Sequence, residues 1–321
     1  MERRRRGDDL NNSYLTALKP AFDQTVDLVL HGGDLFFRSR IHPTIIQAAF
    51  EPLLHIADLG IPVLIVPGNH ERSNIPRTLL ESHPGIIVFE QPQTHTLMLR
   101  GCRISLSGFA NIRHQPRELF KEQLEKTGWQ NGEADVRLLC LHQAVEGAQV
   151  GVQNYTFRTG DDVIRGGDIP NGFHAVLSGH IHRHQVLTKD LSGRPLHAPV
   201  FYPGSTERIS FAEREEEKGY LILTIHPNGD ERISYQFFPL PTRPMIDLVV
   251  TCRGFSLDQT KEWLITKIAA LDKNAVVRVH TDESDAGVWR SALNDRWLRS
   301  VAPKSMNISR SHWRRYGQSA P

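Results

Sequence analysis

The stretch Val26-Asp27-Leu28-Val29-Leu30-His31-Gly32-Gly33-Asp34 is a short apolar run that stops on a histidine, two glycines and a carboxylate. A run of this length bounded by glycine reads as a buried strand, with Asp34 at its C-terminal end. The next segment, Thr44 to Leu59, opens after Pro43 and carries Ile45, Ile46, Ala49, Leu53 and Leu54 at helical spacing until Gly60 closes it. Pro62 to Val66 is a second apolar run, and it stops on Pro67-Gly68-Asn69-His70-Glu71. Strand, helix and strand in this order predict a parallel pair with both polar stops at one edge, where open α/β sheets take their ligands.

The same pattern recurs downstream. Val136 to Leu141 runs into His142, and Ala175 to Leu177 runs into Ser178-Gly179-His180-Ile181-His182. Between them, Thr96 to Leu99 and Arg103 to Leu106 predict a hairpin and Pro116 to Thr127 an exposed charged helix, while Gly219 to Ile225 and Arg232 to Phe237 predict further strands. The class expected is therefore mixed α/β (α+β), with parallel and antiparallel pairing. Pro239 to Pro244 holds three prolines, which favours an extended connector between residues 1–240 and a smaller domain over 245–321. That second domain reads as a strand from Ile246 to Cys252, a helix from Leu257 to Leu271, a strand from Ala275 to His280 and a helix near Val288 to Leu298.

With 39% hydrophobic and 23% charged residues in 321, the chain can bury a sizeable core, which excludes the disordered and collagen-like classes. No apolar run approaches the roughly 20 residues that span a bilayer, and Met1-Glu2 with four arginines behind it is no secretory leader, so a cytoplasmic protein is expected. Cys102, Cys140 and Cys252 form no CxxC pair, which argues against a disulfide framework and a thiolate zinc site. A net charge of +2 is too mild to indicate nucleic acid by itself.

The four strand ends deliver Asp34, Asn69 with His70, His142, and His180 with His182. Imidazole, carboxylate and amide oxygen together suit divalent Mn, Fe or Zn. Taken singly, each has a simpler reading: a turn at Gly33-Asp34, a helix cap at Asn69, a core histidine at His142. Four such stops in one order, each at a strand end, point to a metal centre.

In order and spacing, Gly33-Asp34, Gly68-Asn69-His70-Glu71, His142 and Gly179-His180-Ile181-His182 resemble the calcineurin-like metallophosphoesterase superfamily, over about Val26 to His182. Within it, Gly179 to Gln185, Tyr202 to Arg208, Glu213 to Gly219 and Arg243-Pro244-Met245 resemble the SbcD-like exonuclease subunits of double-strand-break repair. The resemblance implies a two-sheet β-sandwich flanked by helices, a small α/β cap, and phosphodiester hydrolysis on DNA by two divalent ions, manganese being the expected metal. Asp34 would bridge both ions, Asn69, His142 and His180 would complete one site, and His182 would serve the other. His70 would face the scissile phosphate as acid or charge stabiliser. DNA, an SMC-like coiled-coil ATPase and a second copy of the chain are the implied partners.

The superfamily pattern opens with a strand ending in Asp-x-His that supplies two further ligands, whereas this chain opens on Met1 to Arg6 with Asp8-Asp9 at a helix start. The expectation is that the motif lies upstream of a mis-assigned start. Loss of activity, leaving a DNA-binding or scaffold subunit, is the alternative, and a phosphoesterase for a nucleotide or other small phosphodiester is a further one. Near the C-terminus, Arg310, Arg314 and Arg315 are candidate DNA contacts, interleaved with Trp313 and Tyr316; solvated arginines with buried tryptophans are the competing reading. The run Glu213 to Lys218 is expected to be a solvated loop, and His184 to orient the metal site.

Overall fold

A computed structural model describes residues 6–36, 41–70, 83–229, 231–250, 254–281 and 291–311. The helices are α1 (Arg6–Phe22), α2 (Pro43–Asp58), α3 (Pro116–Lys126), α4 (Leu257–Ala269) and α5 (Asp295–Val301). The strands are β1 (Val29–His31), β2 (Val63–Ile65), β3 (Ile86–Val88), β4 (Gln93–Leu99), β5 (Cys102–Gly108), β6 (Val136–Leu141), β7 (Ala144–Val145), β8 (Gln149–Val150) and β9 (Tyr155–Thr156). They continue with β10 (Val163–Ile164), β11 (Ala175–Ser178), β12 (Gln185–Lys189), β13 (Pro195–Tyr202), β14 (Gly219–Ile225), β15 (Ile233–Pro239), β16 (Met245–Val250), β17 (Val276–Thr281) and β18 (Asn307–Ser311). None of the described helices is long and apolar enough to cross a membrane.

Two compact units emerge, one of Asn11–Glu207 with Glu215–Leu240, the other of Met1–Leu10, Arg208–Arg214 and Pro241–Pro321. The larger unit is a sandwich. Strands β1, β2 and β3 form a parallel three-stranded sheet, and β12-β13-β11-β6-β5-β4 form a six-stranded sheet whose four central strands are parallel. Strict alternation of side chains sorts the apolar residues between layers. In β2 and its exit, Leu64 and Val66 point into the core between the sheets with Ile104, Leu106, Leu138 and Cys140, whereas Val63 and Ile65 point out against Phe50, Leu53 and Ile56 of α2. In β6, Leu139 and Leu141 face outward onto Phe120 and Leu124 of α3. Strands buried on both faces read as continuous apolar runs, which is why β2 and β6 carry so few polar residues.

Helix α2 starts where the sequence places it, with Pro43 in its first turn and the His42 ring accepting from the Thr44 N–H at 3.4 Å. In the smaller unit, β16, β17 and β18 form a parallel sheet packed on α4 and α5 through Val250, Leu264, Ile268, Val277, Leu298 and Ile308. Helix α4 is opened by a capping box in which Ser256 and Gln259 satisfy each other's backbone N–H groups. Arg243, almost fully buried, donates to Asp9 Oδ2 at 2.8 Å and to the Ser305 carbonyl at 2.8 Å. A bare guanidinium could not be buried at that depth without such acceptors.

Of the helix expected near Val288 to Leu298, Val288 to Arg290 lie outside the described residues; Ser291 and Ala292 are helical, the chain breaks at Leu293 and Asn294, and the helix Asp295–Val301 follows, capped by Asn294 accepting from the Trp297 N–H at 3.0 Å. Arg296 and Arg299 of this helix are exposed and Trp297 is half-buried. Arg310 lies in β18, half-buried, its backbone N–H on Asp295 Oδ1 at 2.7 Å. Arg314 and Arg315 lie outside the described residues, as do Glu71, Cys252, Trp313 and Tyr316.

Candidate metal centre

Strands β1, β2, β6 and β11 all end at one edge of the sandwich, and their exits converge there. His142 is the hinge of the arrangement. Its ring is 1% exposed and donates from Nδ1 to the Gly32 carbonyl at 2.6 Å, joining the end of one sheet to the end of the other. A carbonyl can only accept, so Nδ1 carries a proton, and Nε2 is the nitrogen whose lone pair would meet a metal. Nε2 lies 3.2 Å from Asp34 Oδ2 and 3.2 Å from Asn69 Oδ1. The ligand atoms of Asp34, His142 and His180 lie within 4.8 Å of one another, and the rings of His142 and His180 stand 5.1 Å apart, edge to face. A carboxylate, an amide oxygen and two imidazoles thus converge, a ligand set that suits a divalent cation.

The backbone is bent to achieve this. Asp34 and His180 both sit in the left-handed region, at φ of +55° and +75°, a conformation that costs a non-glycine residue about 1 kcal/mol or more and that concentrates at functional sites. Two glycines admit the close approach. A Cβ on Gly33, whose φ is +92°, would lie 2.5 Å from the Val66 carbonyl and 2.6 Å from His142 Nδ1; one on Gly179 would lie 2.0 Å from the Gly32 carbonyl.

Burial works against ionisation of Asp34, but the hydrogen bond and charge of His142 and the His70 N–H, 3.1 Å from Oδ1, outweigh it and hold its carboxyl below the usual range. His180 keeps an exposed edge, yet the walls of the site desolvate its ring and, with the charge of His142, lower it to about 4. His31 is lowered to about 4, by desolvation first and His142 second. Its Nδ1 accepts from the Gly33 N–H at 3.1 Å, so the neutral ring holds the turn that carries Asp34.

His70 is half-buried beside the cluster, its backbone N–H anchored on Asp34. His182 lies outside the tight three-residue cluster, though its charge bears on His180. His184 donates from Nδ1 to the Tyr202 carbonyl at 3.0 Å and stacks on Phe237 at 4.1 Å, packing against β15.

The expectation of a solvated Glu213 to Lys218 loop is overturned. Glu213, Glu216 and Lys218 are 6%, 7% and 1% exposed. Lys218 Nζ donates to Glu216 Oε2 at 2.9 Å and to the His182 carbonyl at 2.8 Å, and Arg183 donates to Glu216 Oε1 at 3.2 Å. Opposite charges at close range let the run enter the protein, where like charges alone would have kept it in solvent. The residues so joined brace the loop that carries His180 and His182.

Asn111 escaped sequence reasoning. It is 5% exposed, and it donates from Nδ2 to the His142 carbonyl at 2.7 Å and from its backbone N–H to the Pro67 carbonyl at 3.0 Å. The signal was present: Asn111 follows an apolar strand, β5, that runs parallel to β6, so its exit falls at the same edge. Arg113, two residues on, donates to the Asn69 carbonyl at 2.8 Å.

The chain is similar to known proteins. The chain is 30% identical over 223 residues to the metallophosphoesterase YhaO of Bacillus subtilis (strain 168), covering 68% of this chain and 49% of that protein. It is 24% identical over 268 residues to the DNA double-strand break repair protein Mre11 of Methanococcus maripaludis, covering 79% and 64%. It is 22% identical over 334 residues to Mre11 of Archaeoglobus fulgidus, covering 97% and 70%. The chain therefore spans about half to under two thirds of the length of the first two of these relatives. Residues 9–184, which contain every strand end that meets at the centre, match the calcineurin-like phosphoesterase family, and the chain belongs to that family.

Proposed function

We propose that this phosphoesterase is the nuclease part of a DNA-repair enzyme, hydrolysing phosphodiester bonds of DNA with divalent metal, manganese being the metal of choice. The observation that carries the reading is the convergence of Asp34 Oδ2, Asn69 Oδ1 and His142 Nε2 at 3.2 Å, with His180 completing the set. The DNA part rests on relatives named as DNA double-strand break repair proteins and on the SbcD-like stretches around Tyr202 to Arg208.

In this reading Asp34, Asn69, His142 and His180 hold one ion, and Asp34 with His182 contributes to a second. Bound ions supply Lewis acidity and lower the pKa of water at the phosphorus. The chain's own residues do the rest. Asp34 balances cationic charge, and its low pKa keeps it ionised at neutral pH. The Gly32 carbonyl fixes the direction of the His142 ring, Asn111 holds the His142 backbone and Gly33 leaves room for the ring, so its lone pair needs little reorganisation. His70, whose backbone N–H is held on Asp34, would face the phosphate as acid or charge stabiliser and give a proton to the departing oxygen. DNA, an SMC-like ATPase and a second copy of the chain are the partners this reading carries.

The test measures bound manganese and cleavage of linear DNA for the chain, for the chain carrying an added Asp-x-His strand ahead of its first helix, and for His70→Ala and Asp34→Ala in the extended protein. The extended protein is expected to cleave faster, since Asp34 and His182 by themselves would hold a second ion loosely. His70→Ala keeps the metal and loses turnover by about 100-fold or more; Asp34→Ala loses both. Loss of metal from His70→Ala, or hydrolysis of small phosphodiesters without any cleavage of DNA, refutes the assignment.

A further inference from the structure

Strand β5 leaves its sheet at the rim of the metal centre, and the loop that follows, Phe109 to Gln115, is fixed there by its own bonds. The Asn111 N–H donates to the Pro67 carbonyl at 3.0 Å and the Asn111 side chain to the His142 carbonyl at 2.7 Å. The buried Gln143 donates from Nε2 to the Ile112 carbonyl at 3.2 Å. Gln115, at a φ of +51°, then turns the chain into α3, which starts at Pro116. The backbone around Arg113 is therefore set by the exits of β2 and β6, the same exits that carry Asn69 and His142.

Arg113 is the fixed positive charge that this loop presents. It is exposed, and its Nη2 donates to the Asn69 carbonyl at 2.8 Å. Asn69 Oδ1 is turned to His142 Nε2 at 3.2 Å, so the guanidinium meets the ligand residue on its backbone and leaves the ligand oxygen to an ion. Other exposed arginines lie against a carboxylate, Arg100 on Asp27 and Arg194 on Asp190, each at 2.8 Å. Arg113 lies against none among the described residues. A neutral carbonyl directs the guanidinium without cancelling its charge, and the rest of the planar fork stays open to solvent. A fork held in direction and left open is suited to the bidentate hold that arginine makes on a phosphate.

We propose that Arg113 holds the phosphate next to the one being cleaved, and so sets a preference for a nucleic-acid strand over an isolated phosphodiester. The ions and His70 are assigned to the scissile group, and the offset of the guanidinium along the Asn69 backbone suits a neighbour on the same strand. A contact of this kind positions the strand and serves any base sequence. The inference rests on the nuclease reading of the metal centre and adds to it a residue that determines specificity.

Fluorescence anisotropy in EDTA with a labelled short DNA duplex tests Arg113 without the metal. Arg113→Gln is expected to weaken binding about three- to fivefold at low salt and to lower the slope of log affinity against log salt by about 0.9, the loss of one phosphate contact. Arg113→Lys keeps the charge but not the fork, and is expected to keep the slope. In both variants manganese affinity by calorimetric titration stays within about twofold of the native chain, and hydrolysis of bis(p-nitrophenyl) phosphate, which offers no neighbouring phosphate, is unchanged. A native slope in Arg113→Gln overturns the proposal. So does a loss of manganese affinity with duplex binding intact, which makes Arg113 a brace for Asn69 alone, and so does a loss of bis(p-nitrophenyl) phosphate hydrolysis, which places it on the scissile group. If the native chain binds the duplex and Arg113→Gln binds it equally, the assignment of Arg113 fails by itself; if the native chain hydrolyses bis(p-nitrophenyl) phosphate but neither binds nor cleaves DNA with manganese, the nuclease reading fails and Arg113 with it.

Discussion

Replacing Gly179 by alanine puts a methyl group where the two sheets meet. The new Cβ would lie 2.0 Å from the Gly32 oxygen and 2.8 Å from His142 Nδ1, whereas carbon and oxygen need about 3.3 Å even in a close contact. One strand end must retreat by about 1.3 Å on that measure. Both crowded atoms belong to the 2.6 Å bond between His142 and Gly32, so that bond is the first casualty. Overpacking of about 1–3 kcal/mol together with one lost buried hydrogen bond of about 1 kcal/mol predicts a destabilisation of roughly 2–4 kcal/mol. For a unit of this size the melting temperature should fall by on the order of 5–10 °C. The sharper consequence is for metal: a ligand histidine that loses its orienting partner costs about 10- to 100-fold in affinity. Thermal melts in EDTA and calorimetric titration with manganese read the two effects separately. Gly167→Ala is the control, since a Cβ there meets nothing within 4 Å and its backbone is unstrained. A Gly179→Ala protein that melts lower yet binds manganese within about twofold of the native chain would falsify the claim that Gly32 sets the direction of the His142 ring.

Lys218→Met removes the ammonium whose side chain is wholly buried against Glu216 and the His182 carbonyl; urea unfolding should show a loss of about 3 kcal/mol, at the low end for a broken buried pair because Arg183 still contacts Glu216. No change in stability would mean that the run is solvated after all. For pH, His31 has a folded pKa of about 4 against an ordinary 6.5, so between these values the unfolded chain binds the extra proton. Its contribution is full above about 6.5 and is lost as pH falls toward 4, at no more than about 1.4 kcal/mol per unit. The metal-free protein should therefore lose stability over that window more steeply than His31→Gln; parallel pH profiles would refute it.

Much of the centre was legible because its chemistry sits at strand ends. A short apolar run stops where burial stops, and Asp34, Asn69, His142 and His180 all lie within about four residues past four such stops. Parallel strands share the edge at which they end, so local pattern was enough to bring those residues to one rim. The same rule applied to β5 reaches Asn111, which shows that it was underused there. Other features depended on partners distant in the chain. The Gly32 carbonyl and His142 are 110 residues apart, and no periodicity says which backbone oxygen will face which ring nitrogen. Arg183 and Glu216 are 33 residues apart; read locally, Glu213 to Lys218 is a block of charge that belongs in water, and only pairing across the fold makes its burial affordable. The left-handed backbone of Asp34 and His180 is of the same kind, since neither residue favours it and the packing of two sheet edges imposes it. Alternation and composition therefore specify layers and rims, whereas tautomer, ring direction and buried charge follow from the meeting of two sheets, because those energies exist only once distant groups have displaced the water between them.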